Sequence, residues 1–102
     1  MIGMQEELFP EVFQAIPGEG HSVYAYLNDG SVRWYDVAPL IQKGGVFAPL
    51  EDIDVFRSTL TVMNKTIAWD IEGSRDARNC IDIDPFTIYE SKKVKDPLTD
   101  KR

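Results

Sequence analysis

Apolar and polar residues alternate at period two through the first third of the chain, lose that rhythm in the middle, and regain it after residue 60. Residues 11–16 (EVFQAI) alternate loosely and stop at Pro17-Gly18-Glu19-Gly20, a turn by composition. Residues 21–27 (HSVYAYL) and 31–37 (SVRWYDV) are rich in β-branched and aromatic side chains, and Asn28-Asp29-Gly30 between them signals a hairpin. Two registers fit. A two-residue Asp29-Gly30 turn sets Leu27 opposite Val32 and Ala25 opposite Trp34. A three-residue turn with a glycine bulge sets Leu27 opposite Ser31 and Tyr24 opposite Trp34. In both, Val23, Ala25 and Leu27 share one face and Tyr24 and Tyr26 the other. The aliphatic face is the expected core, because a buried tyrosine also needs a partner for its hydroxyl.

The middle of the chain reads differently. Residues 38–45 (APLIQKGG) predict one helical turn, with Pro39 near its start and Gly44 as its stop. Residues 46–50 (VFAPL) read as an extended link that tucks Phe47 and Leu50 inward. Residues 51–57 (EDIDVFR) predict a short helix with Ile53 and Phe56 on its buried side, and Glu51, Asp52 and Asp54 in a first turn that favours negative charge. Strands follow at 60–63 and 65–69 around a turn at Asn64, then a polar loop at 71–79 and a strand at 80–83. Asp84 and Pro85 suit the cap and first position of a last helix carrying Phe86, Ile88 and Tyr89. The expected fold is α+β: a small antiparallel sheet of about five strands with two or three short helices.

Composition sharpens the boundaries. The 102 residues are 43% apolar, enough for one core worth roughly 5–10 kcal/mol. A single domain over residues 9–91 is expected, between an N-terminal extension at 1–8 and a flexible charged tail at 92–102, where apolar residues are sparse. Seventeen acidic against eleven basic residues give a net charge of −6. That sign repels phosphate backbones and anionic lipid, so the isolated chain is expected to bind neither nucleic acid nor membrane. No apolar run approaches the ~20 residues of a spanning helix, the acidic start is not a signal peptide, and the single cysteine has no partner for a disulfide. A cytoplasmic protein is the expectation.

Few residues carry chemistry. Cys80 with His21 would make a thiolate–imidazole dyad only if the two met; in an apolar strand Cys80 reads as a small hydrophobe and His21 as a surface residue. Asp70, Glu72, Asp76, Asp82 and Asp84 could ligate calcium or magnesium, and Asp70-x-Glu72-x-Ser74 echoes the start of a calcium loop, but Arg75 stands where that loop needs glycine and Ile81 where it needs glutamate, so no metal is expected. Asp82 and Asp84 could pair as carboxylates, but Asp84 has a capping role and an arginine of the loop could hold Asp82. Tyr24, Tyr26, Arg33 and Tyr35, with Trp34, form an aromatic and cationic set on one hairpin. The electropositive groove that single-strand binders use is missing, and these residue types dominate protein interfaces, so they are the expected partner-binding surface.

Gly30-x-x-Arg33-x-x-Asp36-Val37-x-Pro39-Leu40, Gly45-Val46-Phe47-x-x-Leu50, Phe56, Ile67-x-Trp69 and Ile81-Asp82-Ile83-Asp84-Pro85 with Ile88-Tyr89 occur in an order and spacing that resemble a small bacterial family, domain of unknown function 2442. The match runs from about Phe9 to Glu90, and the loop at 71–79 is several residues longer than in the usual short form. The resemblance implies a compact α+β domain with no established activity or catalytic residues. Many members look like proteins encoded beside a small second protein in toxin–antitoxin-like arrangements, which implies an antitoxin-like binding role. The expectation is a binding module without cofactor or catalysis, whose partner is a protein with a basic face. A homo-oligomeric structural protein is the second reading, and a small enzyme using Asp82/Asp84 or Cys80 the third.

Overall fold

The computed structural model describes residues 9–76, 78 and 80–98. The extension at 1–8 and the end of the charged tail at 99–102 lie outside the described residues.

The hairpin sets the frame. β2 (Ser22–Leu27) and β3 (Val32–Asp36) take the three-residue register, with Tyr24 opposite Trp34, Ala25 opposite Arg33 and Tyr26 opposite Val32. The Gly30 amide donates to the Leu27 carbonyl and the Leu27 amide to the Ser31 carbonyl, both at 3.0 Å. Closing that loop needs a positive φ after the turn, and Gly30 supplies it at 87°. The Asp29 carboxylate locks the turn by accepting from the Ser31 amide at 2.9 Å and the Ser31 hydroxyl at 2.6 Å.

β1 (Val12–Pro17) lies antiparallel on the other side of β2. Its register shifts between Val12, opposite Leu27, and Gln14, opposite Tyr26, so Phe13 is the extra residue of a bulge and points into solvent. At the bulge β1 turns toward a second sheet, and the Val12 amide donates to the Lys65 carbonyl there at 2.9 Å. That sheet holds β4 (Leu60–Met63), β5 (Thr66–Trp69) and β6 (Ile81–Asp82). The β4–β5 turn is Asn64-Lys65 with φ of 54° and 66°, the pair of positive values whose twist suits a two-residue hairpin.

The expected antiparallel α+β class holds, with the strands shared between sheets of four and three. The fourth strand of the first sheet corrects the reading of the tail. β7 (Lys92–Val94) pairs antiparallel with β3, Val94 opposite Val32 and Lys92 opposite Trp34. Backbone groups along a sheet edge need partners whatever the side chains are, so a polar segment can complete a sheet. Arg33 clamps it in place: its Nη1 donates to the Tyr89 and Ser91 carbonyls at 2.5 and 3.2 Å, and its guanidinium lies 4.7 Å from the Tyr89 ring centre.

Helix α1 (Ala38–Lys43) starts where Asp36 accepts from the Ala38 amide at 3.1 Å. Residues 46–50 are not extended. Gly44 and Gly45 both adopt positive φ, the chain doubles back, and Gly45–Glu51 forms a 3₁₀ helix whose φ range Pro49 already matches. Leu50 is buried there and Phe47 packs on the core, as expected. Helix α2 (Ile53–Thr59) is capped by Asp52, which accepts from the Asp54 and Val55 amides. Phe56 is buried but Ile53 is exposed, contrary to expectation: the buried side is centred between Val55 and Phe56, which turns Ile53 about 110° away. Helix α3 (Pro85–Tyr89) has the expected Asp84 cap, accepting from the Phe86 amide at 2.9 Å.

The core lies between the sheets. Val23, Ala25 and Leu27 from the inner face of the first sheet share a cluster with Leu50, Phe56, Ile67, Trp69, Ile83 and Ile88. Trp69 is fully buried, 5.4 Å from the Phe56 ring, at the end of a strand buried at all four positions. The helices and the second sheet therefore pack on one side of the first sheet.

Candidate functional site

The hairpin set does not form one surface. The pleat sends Tyr24, Tyr26 and Trp34 to the outer face of the sheet, and Arg33 and Tyr35 to the inner face with Val23 and Ala25. Tyr35 packs against the core, and Arg33 serves as the clamp on β7. Tyr26 is also buried, and its hydroxyl donates to Asp96 at 2.7 Å. Burial, that bond and the Asp96 charge push the Tyr26 pKa well above the ordinary tyrosine value. Of the four residues, Tyr24 alone remains on the outer face with accessible surface.

A neighbour the sequence does not pair with it completes the picture. Tyr24 and Trp34 line a cleft of about 390 Å³ together with Lys92, Val94, Lys95 and Pro97. The residues read as a tail thus bring two lysines to two aromatic rings. Alternation could have suggested Trp34 beside Tyr24. Only the pairing of β7 with β3 supplies the lysines.

A second groove, of about 480 Å³, runs between the 3₁₀ helix and the end of the long loop. Val46, Phe47 and Pro49 line one side, and Ile71, Glu72, Arg78, Cys80 and Asp82 the other. Val46 is 70% exposed and Ile71 37%. Arg78, the cation in this groove, is bonded at Nε to Asp76 at 3.2 Å, so Asp76 and not Asp82 takes the loop arginine. That bond, from the Arg78 guanidinium and amide, holds the Asp76 carboxyl below its usual range. Burial and then the charges of Asp82, Asp70 and Asp76 push the Cys80 thiol up, away from the thiolate.

His21 lines a different cleft, of about 550 Å³, with Gln42, Gly44 and Glu51. Its ring meets the edge of Phe56 at 5.0 Å and its Nε2 lies 3.1 Å from the Glu51 carbonyl oxygen, so it is half-buried rather than a plain surface residue. Cys80 and His21 therefore face separate cavities. Asp84 caps α3, and Asp82 is exposed on β6. Among the described residues no group of three or more His, Cys, Asp and Glu gathers to hold a cation. Nor, among them, is any helix long and apolar enough to cross a membrane.

No curated protein and no solved structure matches the chain. The family model described as protein of unknown function (DUF2442) matches residues 12–94, and the chain belongs to that family.

Proposed function

We propose that this family member is a cytoplasmic protein-binding module, the antitoxin-like half of a two-protein system, and that it docks a partner with a basic face in the groove between the 3₁₀ helix and the loop at 70–82. The observation that carries the reading is the composition of that groove. Exposed Val46, Pro49 and Ile71 sit beside Glu72 and Asp82, with Arg78 already engaged by Asp76. Glu51, Asp52 and Asp54 add to the acidic charge at the end of the 3₁₀ helix and the start of α2, with Glu51 lining the His21 cleft. Apolar side chains inside a charged rim are the make-up of an interface, and the charge steers a cationic partner. The raised thiol pKa of Cys80 counts against its use as a nucleophile, which works as the thiolate.

A photoreactive amino acid placed at Val46 in the native cell should capture the partner. The captured protein, once purified, should associate at a rate that falls as salt rises, and the double reversal Glu72→Lys/Asp82→Lys should slow it about tenfold. A rate indifferent both to salt and to the reversal would overturn the proposal.

A further inference from the structure

The outer face of the four-stranded sheet carries a different chemistry from the acidic groove. Among the described residues no helix covers it, since α1, α2, α3 and the second sheet pack on the inner side; the segment at 96–98 crosses it over Tyr26. Its central strands present Tyr24 and Trp34 side by side, both half-buried and both lining the cleft. Lys92 on β7 stands directly across from Trp34, and Lys95 follows one residue beyond the strand.

We infer that this face binds a short stretch of single-stranded nucleic acid, its bases stacked on Trp34 and Tyr24 and its phosphates met by Lys92 and Lys95. Adjacent aromatic rings on the open face of an antiparallel sheet accept bases of any sequence, since every base has a flat π-face. Lys92 and Lys95, which line the same cleft, answer the phosphates that flank those bases. The expectation of no nucleic-acid affinity rested on the net charge of −6 and on the lack of an electropositive groove beside the aromatics; β7 bears on the second ground, by bringing lysines there.

The net charge of −6 does not cancel this arrangement. The acidic residues of α2 and of the loop at 70–82 belong to elements on the inner side, a sheet-packing distance of about 10 Å or more away, beyond the ~8 Å screening length at physiological salt. Asp96, which accepts from Tyr26, and Asp36, which accepts from the Ala38 amide, lie on this side and keep their negative charge, which limits the affinity. A duplex is excluded by its paired, stacked bases, which leave the rings nothing to stack on. A second copy is disfavoured because a twofold axis here would bring the lysines of both copies together.

The test is fluorescence anisotropy with a labelled thymidine oligomer of about six nucleotides, near the lower end of known single-strand site sizes. Saturable binding is expected at low salt, with a log–log salt slope of about −1.4 for two phosphates. Lys92→Glu/Lys95→Glu should weaken it at least tenfold. Trp34→Leu should do the same, with circular dichroism used to establish that the variant is folded; should it unfold, Tyr24→Leu takes its place. No binding by the parent protein, binding indifferent to the lysine reversals, or equal competition by a duplex overturns the inference. So does a mononucleotide that matches the oligomer, or a dimer in sedimentation equilibrium that depends on Trp34.

Discussion

Single residues here hold more than their type suggests. Tyr26 is buried on the outer face of the sheet because Asp96 accepts its hydroxyl proton at 2.7 Å. Its raised pKa means that the fold favours the protonated phenol. That contribution is whole below the unfolded-state value near 10 and drains away as pH rises beyond it. Tyr26→Phe should therefore cost about 1 kcal/mol at neutral pH and flatten the alkaline limb of a plot of Tm against pH. A variant with the parent's slope above pH ~10 would show that another group controls that limb. Trp69 is the opposite case, a residue valued for volume. Trp69→Ala should lose roughly 3–5 kcal/mol in urea denaturation, most of what a domain this size has. Parental stability in that variant would mean that the ring contributes no packing.

At the scale of elements, turns decide where strands begin and end. The Asn64-Lys65 turn places a lysine at φ 66°, where glycine is strongly preferred. Lys65→Gly should raise stability by about 0.5–1 kcal/mol, since the ion pair of Lys65 with Glu11 is exposed and contributes little. Gly30→Ala should do the reverse and lose about 1 kcal/mol at φ 87°. The same denaturation experiment measures both, and two shifts of the same sign would contradict the backbone argument. Ending the chain after Ser91 removes β7 and its bonds to β3, and should lower stability by about 2 kcal/mol. An unchanged denaturation midpoint would mean that residues 92–94 hold no weight in the sheet.

For the whole molecule, the sequence is legible where side chains alone decide the outcome. The alternation of 21–37, the Asp84-Pro85 helix start and the apolar cluster around Trp69 all follow from local pattern and burial. Backbone-driven features escape that reading. β7 carries two lysines and little apolar surface, yet the edge of β3 recruits it. The 3₁₀ helix follows from two consecutive glycines at positive φ rather than from any periodicity. The candidate surfaces inherit this division. The aromatics of the outer face and the acids of the groove stand out in the sequence, while their neighbours (Lys92 and Lys95 for the first, Val46 and Ile71 for the second) arrive through chain path alone. Charge is likewise arranged by fold, with Glu72 and Asp82 at the groove and Lys92 and Lys95 at the outer cleft.

Beside the bulge at Phe13, one residue ties the first sheet to the β4–β5 turn of the second. The Val12 N–H reaches the Lys65 carbonyl in the second sheet while Val12 itself still pairs with Leu27 in the first. Deuterium can take that proton's place only when the junction opens. If the sheets separate as independent units, the Val12 amide exchanges faster than amides at the centre of either sheet, such as Ala25 and Ala68. If the molecule opens as one cooperative body, all three exchange with the same free energy, equal to that of global unfolding. The burial of Val12 and of the shared core around it favours the second outcome, and makes this one backbone hydrogen a gauge of the cooperativity of the whole domain.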